Sequence, residues 1–386
     1  MTTELETLLA DLNGNVFLGE YTFAANQFRS ATRQEYELAD HVVLLPGAVL
    51  AFQAKERSPN ADTSEDAVVK WFKREVEKSA CRQLADTKHF FETEPDLSLP
   101  NRRGHVHDLS GPDAGIIQVA LYSVAQDPPA YVKLKTHRLS TKAGFVHILS
   151  LDDYREVCRV LALPSEIAAY FAFRQDLLLR LKDWNHGEAA LVAAFINEDA
   201  SGRYDSNEMR RTIEDALHDN ESFDVGKMLI EFGDRVFYVE GQGQGTEYYA
   251  ILDEFMWMNR VQMRSFRKLR DWALEKAGGE DPEMPARMLV PARGTGFVVF
   301  PVPDGQFDKR ITALKNYTMA AKYDCKLDRQ IGVAVSRIGD EIEIDWMMAN
   351  YPWEPDAEMD RRLEANYPFR PKPAERLDYR YRRRSP

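Results

Sequence analysis

Leu5, Leu8, Leu9 and Leu12 recur at helical spacing and predict a short helix over residues 4–12, ended by Asn13-Gly14-Asn15. Two apolar runs follow, Leu38–Leu45 and Ala48–Phe52, on either side of Pro46-Gly47. Proline presets φ and glycine tolerates positive φ, so this pattern predicts a tight turn between two strands. Ser58–Ser64 is polar, contains Pro59-Asn60 and reads as a loop. Ser64 is placed to cap a helix running to about Phe91, with Glu65 and Asp66 in its first turn. Its inner stripe is Val69, Phe72, Val76, Ala80, Leu84, Thr87 and Phe91. Ile116–Ala125 is apolar on both faces, as a central strand covered by helices is. Tyr131–Arg138 alternates Lys133, Lys135 and His137 with Val132, Leu134 and Thr136, which predicts a strand with one basic face. Phe145–Leu149 predicts another short strand.

From Leu151 the period turns helical. Helices are predicted over Leu151–Ala162, over Ser165–Trp184 with Ser165 as its cap, and over 188–221 with a turn at Ser201-Gly202. A strand is then predicted at Arg235–Glu240, followed by the Gly-rich stretch Gly241–Thr246. Its Gly-x-Gly-x-Gly spacing is not that of a dinucleotide loop, and no Lys-Ser or Lys-Thr follows, so turn chemistry is the better reading. A helix over Glu247–Ala277 buries Tyr249, Leu252, Phe255, Met256, Met263, Phe266 and Leu269 by spacing. Its other face carries Arg260, Arg264, Arg267, Lys268 and Arg270. Gly296–Val302 predicts a strand, Asp308–Asp324 a helix, and Gly332–Ile338 with Glu341–Met348 a hairpin across Gly339-Asp340. The last strand carries Asp345 and Trp346 near its end, and Tyr351–Pro373 is expected to lack regular structure. The class is α/β, mixed. At 386 residues the chain has room for more than one core. The expected division is 1–150, a helical linker over 151–224, and an α+β domain over 225–386.

Composition narrows this picture. Apolar residues make up 44% and charged residues 29%, ordinary values for a soluble globular protein. No apolar run approaches the length of a membrane span, and the N-terminus lacks a signal-peptide pattern, so no membrane and a cytoplasmic location are expected. Cys81, Cys158 and Cys325 are too widely spaced for a disulfide framework or a zinc site. Of eight histidines only His105 and His107 lie close together, with no Cys beside them, and no Gly-x-Ser-x-Gly elbow is present. A net charge of −12 argues against wrapping nucleic acid over the whole surface but leaves room for a local basic groove. The helix over 64–91 carries such a line, Lys70, Arg74, Lys78 and Arg82, at i, i+4 spacing. Four cations on one line repel each other unless something anionic meets them; DNA phosphates are one candidate and a solvated face balanced by Asp66, Glu75 and Glu77 is the other. The tail from Arg370 is basic as well.

The chemistry concentrates on the hairpin. Side chains alternate along a strand, so Val49, Ala51, Gln53 and Lys55 share one face. That face begins apolar and ends as Gln-x-Lys, which is costly inside a fold unless a partner or ligand satisfies it. Asp40 lies across the hairpin. A carboxylate, a carbonyl oxygen and a lysine meeting at strand ends can hold Mg²⁺ and a phosphate, since Mg²⁺ prefers oxygen and keeps several waters.

The Asp40…Gln53-x-Lys55 arrangement, after an acidic N-terminal segment and before a long helix, resembles the PD-(D/E)XK nuclease superfamily in its Gln-x-Lys, Mrr-like form. The resemblance covers roughly the first 125 residues. It departs from the family pattern at Ala39, where a proline is usual, and at Gln53, where a glutamate is usual. It implies a restriction-endonuclease-like αβββαβ core and metal-dependent hydrolysis of DNA, as in restriction or antiviral defence. The roles it implies are Asp40 as metal ligand, Gln53 as a second ligand with the Ala54 carbonyl, and Lys55 acting on the attacking water and the phosphate. Glu20, or next Glu37, matches the acidic residue often found upstream, and Gln83 matches a polar residue often found on the helix. Lys70, Arg74, Lys78 and Arg82 would face DNA. The implied cofactor is Mg²⁺ or Mn²⁺. The second domain is expected to sense DNA, a protein partner or a second copy. The alternative is an inactive nuclease-like fold that binds DNA or serves assembly, with Asp40 and Lys55 as a half-buried ion pair.

Overall fold

A computed structural model describes residues 3–24, 27–29, 35–45, 47–94, 96–109, 115–181, 184–203, 205–235, 245–279, 284–290 and 293–370. The described residues form two compact units. The first comprises those up to Glu221 and Gly226–Thr246; the second comprises Ser222–Val225 and those from Glu247 on.

The first unit is mixed α/β. Helix α1 (Glu4–Val16) leads into β1 (Thr22–Phe23), a small ribbon of β2 (Gln27–Arg29) and β3 (Glu35–Glu37), then the hairpin β4 (His41–Leu45) and β5 (Ala48–Glu56). Gly47 takes φ 81°, the left-handed region expected of it, while Pro46 lies outside the described residues. After α2 (Glu65–Phe72), a π-helix over Lys73–Ala80 and α3 (Cys81–Thr93), a ribbon of β6 (Ser98–Pro100) and β7 (Val106–Asp108) precedes β8 (Gly115–Ser123). Helix α4 (Ala130–Lys133), β9 (His137–Ser140) and β10 (Gly144–Ser150) follow. Strands run β1-β4-β5-β8-β10-β9; β1, β4 and β5 are antiparallel, and β5, β8 and β10 are parallel. β8 thus has neighbours on both sides, as its two apolar faces require.

Each face of this sheet carries helices. On one, Ala51, Ala120, Tyr122, Val146 and Ile148 pack against Val68, Phe72, Val76, Ala80 and Leu84. On the other, Phe52 meets Tyr154 of α5 (Leu151–Leu161) at 5.3 Å between ring centroids. His147 meets Phe171 of α6 (Pro164–Arg180) at 4.9 Å on the same face. Helices α7 (Glu188–Asn197) and α8 (Ser206–Asn220) complete the bundle. These helices belong to the first compact unit, so the boundary expected at 150 falls inside it and 151–224 is not a linker.

Several local expectations are corrected. Helix α1 runs through Gly14 to Val16 because Asn13 is buried and bonded rather than a stop. Pro128-Pro129 starts helix α4 where a strand was expected, since proline suits the start of a helix, whose first N–H groups have no intrahelical partner. For the same reason Pro164 opens α6 with Leu163, not Ser165, at the cap position. Ser64 stands at the start of α2 but makes no side-chain cap bond. Its own N–H donates to Asp62 Oδ1 at 2.9 Å.

The π-helix has a sequence cause. Phe72, Val76, Ala80 and Leu84 repeat every four residues, more than the 3.6 of an α-turn. On a straight α-helix that stripe would drift off the sheet; the wider i→i+5 turn takes up the excess and all four stay buried.

Short helices α9 (Gly226–Ile230) and α10 (Phe232–Arg235) follow in the first unit. The strand expected at Arg235–Glu240 and most of the Gly-rich loop lie outside the described residues. In the second unit the expected long helix is two, α11 (Tyr249–Trp257) and α12 (Arg260–Lys276), because Asn259 forms a capping box with Gln262. Arg260 and Arg264 of its expected basic face are buried, Arg260 against the Phe223 ring at 5.0 Å. Strands β11 (Arg287–Leu289), β12 (Thr295–Pro301), β13 (Arg329–Ile338) and β14 (Glu341–Asn350) form a sheet in that order, with α13 (Arg310–Asp324) crossing between the parallel β12 and β13. Phe266 of α12 packs on Phe297 and Trp346 on one face, and Leu314 and Ala321 of α13 pack on Val298 and Ala334 on the other. Gly332 admits α13, since a Cβ there would meet Thr318 Oγ1 at 1.9 Å. Asp345 pairs with Arg310 at 2.9 Å. Helix α14 (Ala357–Ala365) forms within the segment expected to be irregular, because the Asp356 carboxylate accepts the N–H groups of Glu358 and Met359.

Candidate active site

Asp40 immediately precedes β4. The pairing of β4 with β5 starts at His41 and Phe52, so Asp40 stands opposite Gln53 one rung further on. Gln53 and Lys55 point to the same face as Ala51, the face covered by the π-helix and α3. Thr87 of α3 donates its hydroxyl to the Leu38 carbonyl, which ties the helix to the segment that delivers Asp40. One turn earlier on α3, Gln83 reaches the same place.

Asp40 is half-buried, and its Oδ2 accepts the Ala54 N–H at 2.7 Å. Ala54 thus enters the site through its N–H, where its carbonyl was the expected donor. The Gln53 amide is 3% exposed, and one of its two terminal atoms lies inward. With nitrogen inward it donates to Asp40 Oδ2 at 3.1 Å, Asp40 Oδ1 at 3.2 Å and Gln83 Oε1 at 3.2 Å.

Burial pushes the Asp40 carboxyl up from 3.8 to about 6. The Ala54 N–H and the Lys55 charge pull the other way, and the charges of Glu6 and Glu37 add to the rise. Lys55 is half-buried beside it. Glu37 stands exposed at the end of β3, within electrostatic reach.

Glu20 is placed elsewhere. It is buried, its carboxylate accepts Arg103 Nε at 3.0 Å, and it is not among the charges acting on Asp40. Pairing with Arg103 fixes it to the loop after β6. His107 packs edge-on to Phe23 and its Nε2 lies 3.2 Å from Asn101 Nδ2, so it is held as a structural side chain. The acid that the sequence reading missed is Glu6, on the first turn of α1. Its position in a capping box with Thr3 marked the helix start, and nothing local in the sequence ties it to Asp40.

Lys70, Arg74, Lys78 and Arg82 are all exposed, on the helix that carries Gln83. Arg74 pairs with its neighbour Glu75. Lys73, on the same helix, lies over the Tyr131 ring at 4.5 Å, and Lys135 pairs with Glu77 at 3.4 Å.

The donor set suits a hard divalent cation in kind: one carboxylate, two amide oxygens, no thiolate and no imidazole. With oxygen inward, Gln53 Oε1 would lie 3.1–3.2 Å from the Asp40 and Gln83 oxygens. Ligands at 2.0–2.1 Å in an octahedron stand about 3.0 Å apart along an edge. The spacings of Gln53 to Asp40 and of Gln53 to Gln83 each match such an edge, and water would supply the remaining positions. Among the described residues no group of three or more His, Cys, Asp or Glu is placed to hold a metal ion, so any cation here rests on a single carboxylate. No family model, curated protein or solved structure matches the chain.

Proposed function

We propose that the first unit is a metal-dependent nuclease acting on DNA phosphodiester bonds, with Asp40, Gln53 and Lys55 at its centre. The observation that carries this is the convergence of Asp40, Gln53, Lys55 and Gln83 at one end of β5; the exposed cations Lys70, Arg74, Lys78 and Arg82 lie on the helix that carries Gln83. The strand order, three antiparallel strands followed by a helix and a parallel strand, supports the restriction-endonuclease-like reading of the core.

A bound Mg²⁺ or Mn²⁺ would lower the pKa of its water and neutralise charge on the phosphate. Asp40 would hold it, with the Gln53 and Gln83 oxygens completing the protein share. Lys55, two residues along the strand on the same face, orients the attacking water and offsets charge growing on the phosphate oxygens. The water oxygen bonds to phosphorus as the bond to the leaving oxygen breaks. Lys70, Arg74, Lys78 and Arg82 meet flanking phosphates and set the salt dependence of binding.

A second reading is an inactive nuclease-like fold that binds DNA. It is favoured by the acceptors around the inward end of Gln53: a nitrogen there would satisfy Asp40 without a cation. The test is cleavage of plasmid DNA in Mg²⁺ or Mn²⁺ by the parent, Asp40→Ala and Lys55→Ala. Cleavage by the parent alone supports the nuclease. Binding without cleavage in Mn²⁺ moves the assignment to the second reading, and equal cleavage by all three rejects both residue roles. The second unit is proposed as the sensor of DNA, a protein partner or a second copy.

A further inference from the structure

The position held by the inward atom of the Gln53 side chain faces three acceptors: both Asp40 oxygens and Gln83 Oε1. An oxygen there has no proton to offer any of them, and burial keeps water from intervening. A nitrogen there has two protons, one for Gln83 Oε1 and one shared between the two Asp40 oxygens. A divalent cation reverses the preference, because a carboxamide NH₂ has no lone pair for a metal and its oxygen does. The two ends of the amide have nearly the same size, so turning it over changes little in the packing.

Resting on the nuclease reading of this site, we propose that the Gln53 amide is a two-position latch. Its nitrogen faces inward, tied to Asp40 and Gln83, in the metal-free protein, and its oxygen faces inward once a divalent cation binds. Gln83 is then a positioning residue, whose oxygen holds the latched nitrogen. Cation binding must break the latch, so the amide weakens affinity relative to a carboxylate at the same place and leaves the empty site with one carboxylate instead of two. A glutamate there would instead set two carboxylates against each other in the metal-free protein, the arrangement in which one of them takes up a proton.

The experiment is side-chain amide proton exchange in ¹⁵N-labelled full-length protein without DNA, with Mg²⁺ binding followed by calorimetry. The Gln53 resonances are identified by their loss in Gln53→Glu. In the metal-free protein the Gln53 protons should exchange on the order of tenfold more slowly than those of an exposed glutamine, and saturating Mg²⁺ should remove that protection. Gln53→Glu should bind Mg²⁺ roughly tenfold more tightly or better, since it gains charge and has no amide to turn. Gln83→Leu should speed Gln53 exchange a few-fold in the metal-free protein, a readout independent of whether Gln53→Glu folds. If calorimetry registers Mg²⁺ while Gln53 exchange stays unchanged, the latch is wrong and the nuclease reading stands. If neither the parent nor Gln53→Glu binds Mg²⁺, the nuclease reading falls and takes the latch with it.

Discussion

Asp40→Asn should stabilise this protein while abolishing cleavage. The carboxyl is pushed from 3.8 to about 6 by burial, against the help of Ala54 and Lys55. At 1.36 kcal/mol per pKa unit, keeping Asp40 ionised in the native state at pH 7.5 costs about 3 kcal/mol. Asparagine carries no charge and escapes that cost. It gives up one carboxylate acceptor against the Gln53 amide, worth about 1 kcal/mol. The net gain is about 1–2 kcal/mol, or about 3–6 °C in melting temperature for a unit of this size. Because the folded pKa lies above the unfolded one, the penalty is complete above about pH 6 and gone below 3.8. The gap between variant and parent should therefore close as pH falls from 7.5 to 4. Scanning calorimetry in a chelator reads both. Adding Mg²⁺ should reverse the order, since a cation at 100 times its dissociation constant stabilises the parent by about 2.7 kcal/mol and finds no carboxylate in the variant. An Asp40→Asn protein that melts at or below the parent at pH 7.5 in chelator would refute the reasoning: Asp40 would then be a stabilising ion-pair member and not a strained, metal-ready acid.

Two further outcomes are expected. Arg174 is fully buried and places all five of its N–H donors, two on the Glu188 carboxylate at 2.8 and 2.9 Å and the rest on the Thr136 and Ile148 carbonyls and His147 Nδ1. Arg174→Met should cost about 3–5 kcal/mol by stranding Glu188, and adding Glu188→Leu should recover part of it; a loss under about 1 kcal/mol by urea denaturation would show that the network is idle. Burial and the nearby Arg102 charge hold His41 down to about 3 from its usual 6.5, and its Nδ1 accepts from Asn13. The unfolded chain takes up that proton below pH 6.5 and the native protein does not, so stability is full above 6.5 and falls as pH drops, by about 2 kcal/mol at pH 5; His41→Gln should flatten this acid limb, and an unchanged slope would assign it to other groups.

The strand hairpin and its polar end were readable because alternation is local. A period of two over Val49, Ala51, Gln53 and Lys55 puts them on one face whatever the rest of the chain does. The turn at Gly47 and the central strand β8 follow from equally short-range rules. Periodicity also found the inner stripe of the long helix, and its excess over 3.6 was already a hint of the π-helix. Where proline or an aspartate cap competed with a wider pattern, at α4, α6 and α14, the local cap won and the pattern misled.

What the sequence by itself determined, then, is the pair of strands that carry Asp40, Gln53 and Lys55, and the exposed cationic line of the following helix. Only the tertiary structure decided what surrounds them. Gln83 lies thirty residues from Gln53, and it reaches the site because the π-helix holds α3 in register with the sheet. Glu6, not Glu20, stands near Asp40, because Arg103 claims Glu20 through a contact no spacing rule anticipates. Arg260 and Arg264 read as part of a basic outer face and are buried, since burial depends on which helix faces which sheet. The set of acceptors around the Gln53 amide is the last such contribution. The amide's two ends are alike in the sequence and in shape, and only the acceptors gathered around it distinguish nitrogen from oxygen.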